Sequence, residues 1–321
     1  MWISLVGMVG MFVSAAAWTV ELFVVALIGV QVLMAQGMPL VSHIFATNFL
    51  KHERGRYLST ALMINGLAGV IFSYCGGRLL DLDISSFRGI YLIGAVACGV
   101  CAYAFHKMPS QPLNPEKIGN PWTNISLIWK DKLFGAMLLG WMFMGLGNLM
   151  TLPLRVDYMA NEIYGINATN EQIAMITVGI PQCCRLLFTK FWGYLFDRLN
   201  IVVVRVILNV LFLFSMWTFF FTDQLWLMAV GMGFQGIGYA GGRVMWQLWT
   251  TRLVPHDEVT AYVSIHSGLT GLRGAVAPFI GFALMAYGGP AFAGWCAAVI
   301  IAISTIIFLP LRKAIEARSR H

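Results

Sequence analysis

The chain has 321 residues, of which 59% are hydrophobic and 11% charged, with a formal net charge of +7. Soluble domains carry about 25% charged residues, so the composition excludes a water-soluble globular protein. Long apolar runs and a mean hydropathy of +0.75 select a polytopic helical membrane protein. The runs are continuous rather than alternating over about ten residues, which argues against a β-barrel.

In chain order, ten apolar spans are predicted over residues 2–19, 22–46, 57–80, 88–106, 133–154, 172–194, 201–221, 224–250, 260–287 and 289–311. Each approaches or exceeds the ~20 residues needed to cross the hydrocarbon of a bilayer. The first span starts almost at Met1 and includes "SAAAW", a small-residue site of the kind that ends signal peptides. The preceding "MWIS" has no Lys or Arg, so the segment reads as a transmembrane helix instead.

The loops set an orientation. One side holds Lys51, Arg54 and Arg56, then Lys107, Lys117, Lys130 and Lys132, then Lys190, Arg198 and Arg205, then Arg252 and the tail residues Arg312, Lys313, Arg318 and Arg320. The other holds Arg78, Arg88 and Arg155 among the acids Asp81, Asp83, Asp157, Glu162 and Asp223. The positive-inside rule places the first set in the cytoplasm, and an even number of spans puts both termini there. The net positive charge then belongs to membrane topology: the expected partner is the lipid bilayer of a bacterial inner or plasma membrane, and no nucleic acid.

The loop 107–130 is rich in Pro and Asn and reads as a cytoplasmic linker. It separates an N-terminal bundle of four spans (1–106) from a C-terminal six-span bundle with a basic tail (131–321). The halves look related, since "FLKHERGRYLSTALMINGLAG" and "RLVPHDEVTAYVSIHSGLTG" each follow a long glycine-containing span. Internal repeats of this kind are typical of secondary transporters. All six cysteines, Cys75, Cys98, Cys101, Cys183, Cys184 and Cys296, fall in apolar spans. Cys98-x-x-Cys101 lacks a second Cys or His pair and reads as small residues packing between helices, with no metal site and no disulfide framework.

Two stretches carry a family resemblance. "GYLFDRLNIVVVR" supplies Gly193, Asp197 and Arg198 of a Gly-x-x-x-Asp-Arg-x-Gly pattern, and "ERGRYLSTALMINGLAG" holds Arg54 and Arg56 ahead of a span. Over nearly its whole length the sequence resembles the major facilitator superfamily, whose two six-helix halves carry the first pattern between their second and third helices. The resemblance implies an all-α fold of two helical bundles and transport of a small solute by alternating access. It also implies that Gly193, Asp197, Arg198, Arg54 and Arg56 belong to a cytoplasmic gate rather than to substrate binding. The pattern departs at Asn200, where glycine is expected, and at the apolar Val202 to Val204. In the family's register the chain starts at the third helix, giving four plus six spans. A truncated gene, a fragment or an internal start would each account for that. Phe72-Ser73 stand where antiporters of the family often carry Gly-Pro before a Gly-Gly, here Gly76-Gly77. This counts against a drug:proton antiporter.

Three arginines lie well inside spans: Arg185, Arg243 and Arg273. Each costs ~2.5–3.5 kcal/mol on an insertion scale unless it meets water or a partner, so none is expected to face lipid. Helical spacing groups them with other polar residues. His266, Thr270 and Arg273 form one row, and Gln182, Arg185 and Thr189 another, beside Pro181. Gln235, Tyr239, Arg243 and Gln247 form a third, and Trp141, Asn148, Thr151 and Arg155 a fourth. By the resemblance, these four segments line a central cavity. No Asp or Glu lies in the interior of a predicted span, so a cationic cavity would suit an anionic substrate, which guanidinium binds through paired hydrogen bonds. The alternative is structural: arginines bridging helices through carbonyls, glutamines or an acid elsewhere. Gln36 and His43 could face the cavity from the first half, Asn65 and Ser73 read as interhelical hydrogen bonders, and Asn167-x-Thr169 matches a glycosylation acceptor.

The expected function is therefore a secondary transporter of a small solute, an organic anion by its arginines. The alternatives are a truncated, non-transporting remnant or membrane scaffold and, within the class, a drug or metabolite efflux permease. No HExxH, P-loop or surface carboxylate cluster points to an enzyme, and no cofactor is expected. The coupling ion stays open, since proton coupling would usually need a buried acid.

Overall fold

The computed structural model describes residues 1–35, 48, 54–109, 123–250, 254 and 259–318, and the regular structure in them is helical. Gln36, His43 and most of the 107–130 linker lie outside these residues. The helices are α1 (Trp2–Ala16), α2 (Val20–Ala35), α3 (Arg54–Leu82) and α4 (Phe87–Lys107). They continue with α5 (Lys132–Ala160), α6 (Asn170–Arg198), α7 (Ile201–Phe220) and α8 (Leu225–Leu248). The stretch Val259–Phe308 is helical on both sides of Gly289, whose φ of 80° and ψ of −178° break it into α9 (259–288) and α10 (290–308). That backbone region is essentially reserved for glycine, and Pro290 then opens the next helix without needing to donate a hydrogen bond. Every predicted span overlaps one of these helices. Among the described residues, six helices are long and apolar enough to cross a membrane, the 261–315 stretch being counted as one.

Side chains at the helix ends show why the boundaries fall where they do. The Asp131 carboxylate accepts from Phe134 N at 3.1 Å and starts α5. Thr169 and Gln172 exchange hydrogen bonds in a capping box that starts α6. Asn200 Oδ1 accepts from Val202 N at 2.7 Å and starts α7. This explains why an asparagine stands where the family pattern has glycine: here the position is an N-cap.

The described chain falls into two compact units, one of residues 1–65 and 75–115, the other of 66–74 and 116–321. In the first, α1 packs on α2 and α4 through a small-residue face of Ser4, Gly7, Ser14 and Ala15. Arg88 donates to the Ala15 and Ala17 carbonyls, each at 3.1 Å, which satisfies backbone acceptors left open at the end of α1. In the second unit, α5 runs along the 259–308 segment, α6 packs on α8, and α7 packs on α8 and the 259–308 segment. Its interior is filled by Met137, Leu154, Leu208, Phe212, Met216 and Phe219, all essentially inaccessible. Large apolar side chains such as Leu187, Trp217 and Phe279 are exposed, as a lipid-facing surface requires.

Candidate functional site

α5 carries the frame of the site. Trp141, Asn148, Thr151 and Arg155 share one helical face, and all four are buried. The Thr151 hydroxyl donates back to the Asn148 carbonyl at 2.9 Å, which occupies its proton within the helix. Across from them on α8, Gln235 and Tyr239 sit one turn apart. Gln235 Nε2 donates to Asn148 Oδ1 at 2.6 Å, and Asn148 Nδ2 lies 3.4 Å from the Tyr239 hydroxyl. Arg155 Nη2 donates to Gln235 Oε1 at 3.2 Å and lies 3.6 Å from the Met216 sulfur. The arginine can only donate, so the Gln235 oxygen must face it and the Gln235 amide nitrogen must face Asn148. One chain, buried from Arg155 through Gln235 to Asn148 and ending on the half-buried Tyr239, thus ties α5 to α8.

Arg243 follows Tyr239 by one turn of α8, and Arg185 stands on α6. The two guanidiniums are within electrostatic reach of each other, and Arg185 also feels the Tyr239 hydroxyl. Both arginines are half-buried, and among the described residues no carboxylate pairs with either. Gln182, one turn before Arg185, is half-buried, and its amide lies against α3 at Gly69. Between the α6 cap and this row, Met175–Gly179 forms a π-turn directly ahead of Pro181. The Gln247 side chain lies outside the described residues.

The third arginine of the sequence reading has different neighbours. Arg273 on α9 donates through Nη1 to the Trp141 carbonyl at 2.6 Å. Its guanidinium lies where a side chain at position 145 would be: a Cβ on Gly145 would come within 1.9 Å of Arg273 Cζ. Glycine is required there by this close approach. His266, two turns before Arg273, is buried among Trp141, Trp246 and Trp249, with ring centroids 5.2, 5.4 and 5.4 Å away. Thr270 stands between them on the same face, its hydroxyl buried and without a hydrogen-bond partner.

Arg205 joins this second group and corrects the sequence reading, which placed it in a cytoplasmic loop. It is fully buried in the second turn of α7, with Cζ 4.2 Å from the Trp141 ring centroid and 5.9 Å from that of Phe308. Arg155, placed in an outer loop by the same count, is also fully buried within α5. For Arg155 the signal is its helical row with Trp141, Asn148 and Thr151. Arg205 lies inside an apolar run, four residues before Asn209, and Asn209 is buried and donates to Ser304 and Thr305 at 3.3 and 2.9 Å. Removing a guanidinium from water costs several kcal/mol after relaxation, so a buried arginine marks a place where the bundle compensates a charge.

The residues of the Gly-x-x-x-Asp-Arg pattern and of the Arg54–Arg56 stretch sit elsewhere. Gly193, Asp197 and Arg198 close α6, with Arg198 Cζ 4.1 Å from the Tyr194 ring centroid and Asp197 exposed. Arg54 and Arg56 stand in the first turn of α3, and their side chains lie outside the described residues. An apolar groove of about 400 Å³ between α7 and α10, lined by Phe214, Trp217 and Trp295 among others, contains none of the polar residues above. Its lining suits lipid rather than a polar solute.

A family model described as the Major Facilitator Superfamily matches residues 1–208 and 158–321. The chain belongs to this superfamily. It is therefore a multi-pass integral membrane transporter and not an enzyme. No curated protein matches it in sequence. Among solved structures it is similar to the nucleoside transporter NupG, at 16% identity and a TM-score of 0.65, over 99% of this chain and 83% of that one. It is also similar to a bacterial homologue of the human lysosomal transporter Spinster, at 12% identity and a TM-score of 0.58, over 99% and 81% of the two chains. Both likenesses concern the fold.

Proposed function

We propose that this Major Facilitator Superfamily member carries a small organic anion by alternating access, with Arg185 and Arg243 receiving the anionic group. The observation that carries this reading is that Arg185 on α6 and Arg243 on α8 feel each other's charge. Two guanidiniums on facing helices stand within electrostatic reach, with no carboxylate partner among the described residues. Like charges at this range repel, and a carboxylate or phosphate bridging them removes the repulsion while making paired hydrogen bonds. Tyr239 adds a hydroxyl beside them, while Asn148 and Gln235 hold that tyrosine's helix in register. His266, Thr270 and Arg273 belong to the neighbouring group around Trp141, and Gln182 flanks Arg185. In this reading Gly193, Asp197, Arg198, Arg54 and Arg56 form the cytoplasmic gate, and both termini face the cytoplasm of a bacterial inner membrane.

The test is uptake into proteoliposomes of labelled mono- and dicarboxylates, organic phosphates and uncharged analogues, with and without an imposed proton gradient. Anion uptake should fall at least tenfold in Arg243→Gln and Arg185→Gln, with reconstitution unchanged. Absence of uptake of every anion by the unmodified protein would overturn the reading. A second reading, an uncharged polar solute such as a nucleoside, draws on the amide and hydroxyl groups of Asn148, Gln235 and Tyr239 and on the likeness to NupG. It gains if nucleosides are taken up and the Arg243→Gln variant keeps that uptake.

A further inference from the structure

We infer that the second unit binds a small inorganic anion, chloride by its chemistry, in the cluster around Trp141, at a site separate from the Arg185–Arg243 pair. The donors there outnumber anything the protein offers them. Arg205 Nε, Nη1 and Nη2, Arg273 Nε and Trp141 Nε1 are all buried without a hydrogen-bond partner. His266 adds another. Trp249 Nε1 donates to His266 Nδ1 at 3.2 Å, so Nδ1 is the acceptor and the proton of the neutral ring sits on Nε2, also buried and unpartnered. Arg205, Trp141 and His266 are each more than nine-tenths buried. All of them meet at one residue: Arg205 lies over the Trp141 ring, His266 packs beside it, and Arg273 holds its carbonyl.

The chemistry of the ligand follows from what the cluster lacks. Two guanidiniums within electrostatic reach of each other and of His266 present positive charge and N–H groups, with no carboxylate partner among the described residues. Water could accept from the N–H groups but could not offset the charge. The surrounding walls include the rings of Trp141, Trp246, Trp249 and Phe308, which give the far side of a polyatomic ion little polar surface. A monatomic halide accepts several N–H groups from any direction and asks for no donor-acceptor match.

The experiment is thermal unfolding of the purified protein, without substrate, in sodium chloride against sodium gluconate at equal ionic strength. Chloride and bromide should raise Tm saturably by several degrees, and Arg205→Gln should abolish the difference between chloride and gluconate. Should that variant fail to fold, crystals of the unmodified protein grown in bromide decide the matter. An anomalous peak within hydrogen-bond distance of Arg205 and Arg273 is expected. Equal Tm in chloride and gluconate, or bromide peaks only outside the cluster, would overturn the proposal. Neither measurement involves transport, so failure of the organic-anion assignment leaves this result readable. An organic anion that raises Tm in Arg205→Gln but not in Arg243→Gln would report the other site.

Discussion

Replacing Gly145 with alanine tests whether the Arg273 guanidinium fills the space beside α5. The added Cβ would lie 1.9 Å from Arg273 Cζ, 2.0 Å from Nη1 and 2.4 Å from Nη2. Carbon atoms pack at about 3.5–4.0 Å, so the guanidinium must retreat by roughly 1.5–2 Å. Its Nη1 now sits 2.6 Å from the Trp141 carbonyl, and a retreat of that size takes it beyond hydrogen-bond range. Losing a hydrogen bond to a charged donor costs about 1.5–3 kcal/mol, and overpacking adds about 1–3 kcal/mol. Alanine's better helix propensity offsets about 1 kcal/mol. The variant should therefore lose about 1.5–5 kcal/mol of unfolding free energy, measured by detergent-induced unfolding followed by circular dichroism. The decisive control is a double-mutant cycle with Arg273→Ala. With the guanidinium gone, Gly145→Ala should cost nothing or even stabilise. An unchanged cost in the Arg273→Ala background would refute the reasoning, as would a loss below about 0.5 kcal/mol in the single variant.

Other substitutions probe neighbouring features. Gln235→Leu keeps the volume but removes the acceptor of Arg155 and the donor to Asn148; unfolding should show a loss of about 3–5 kcal/mol, and Gln235→Glu should recover most of it by pairing with the guanidinium. Gly289→Ala forces a Cβ onto a backbone at φ 80° and should cost about 1–3 kcal/mol in the same assay. Asn209→Ala removes the hydrogen bonds to Ser304 and Thr305 and should cost about 1–2 kcal/mol, with Ser304→Ala costing less. Asp131→Ala removes the cap of α5 and the acceptor of the Tyr262 hydroxyl, lowering stability by about 1–2 kcal/mol, whereas Asp131→Asn should retain the cap.

The sequence by itself determined where the helices run and which of their faces are polar. Apolar length and turn-formers depend only on local chemistry, so the spans and the break near Gly289 were legible, whereas α6 runs on to Arg198, past the predicted end at 194. Periodicity likewise placed Trp141, Asn148, Thr151 and Arg155 on one face, and all four are buried. Arg205 shows the limit of that reasoning. Counted as a loop charge, it is buried because the indole of Trp141, on another helix, covers it. The grouping of the arginines was also beyond the sequence, which put Arg185, Arg243 and Arg273 on cavity-facing rows without saying which would meet. The tertiary structure placed Arg243 near Arg185 and set Arg273 against the backbone of Trp141 at Gly145. Helical spacing specifies a direction around one axis, whereas a partner depends on where two axes cross and how closely. Those crossings are decided by packing between residues far apart in the chain.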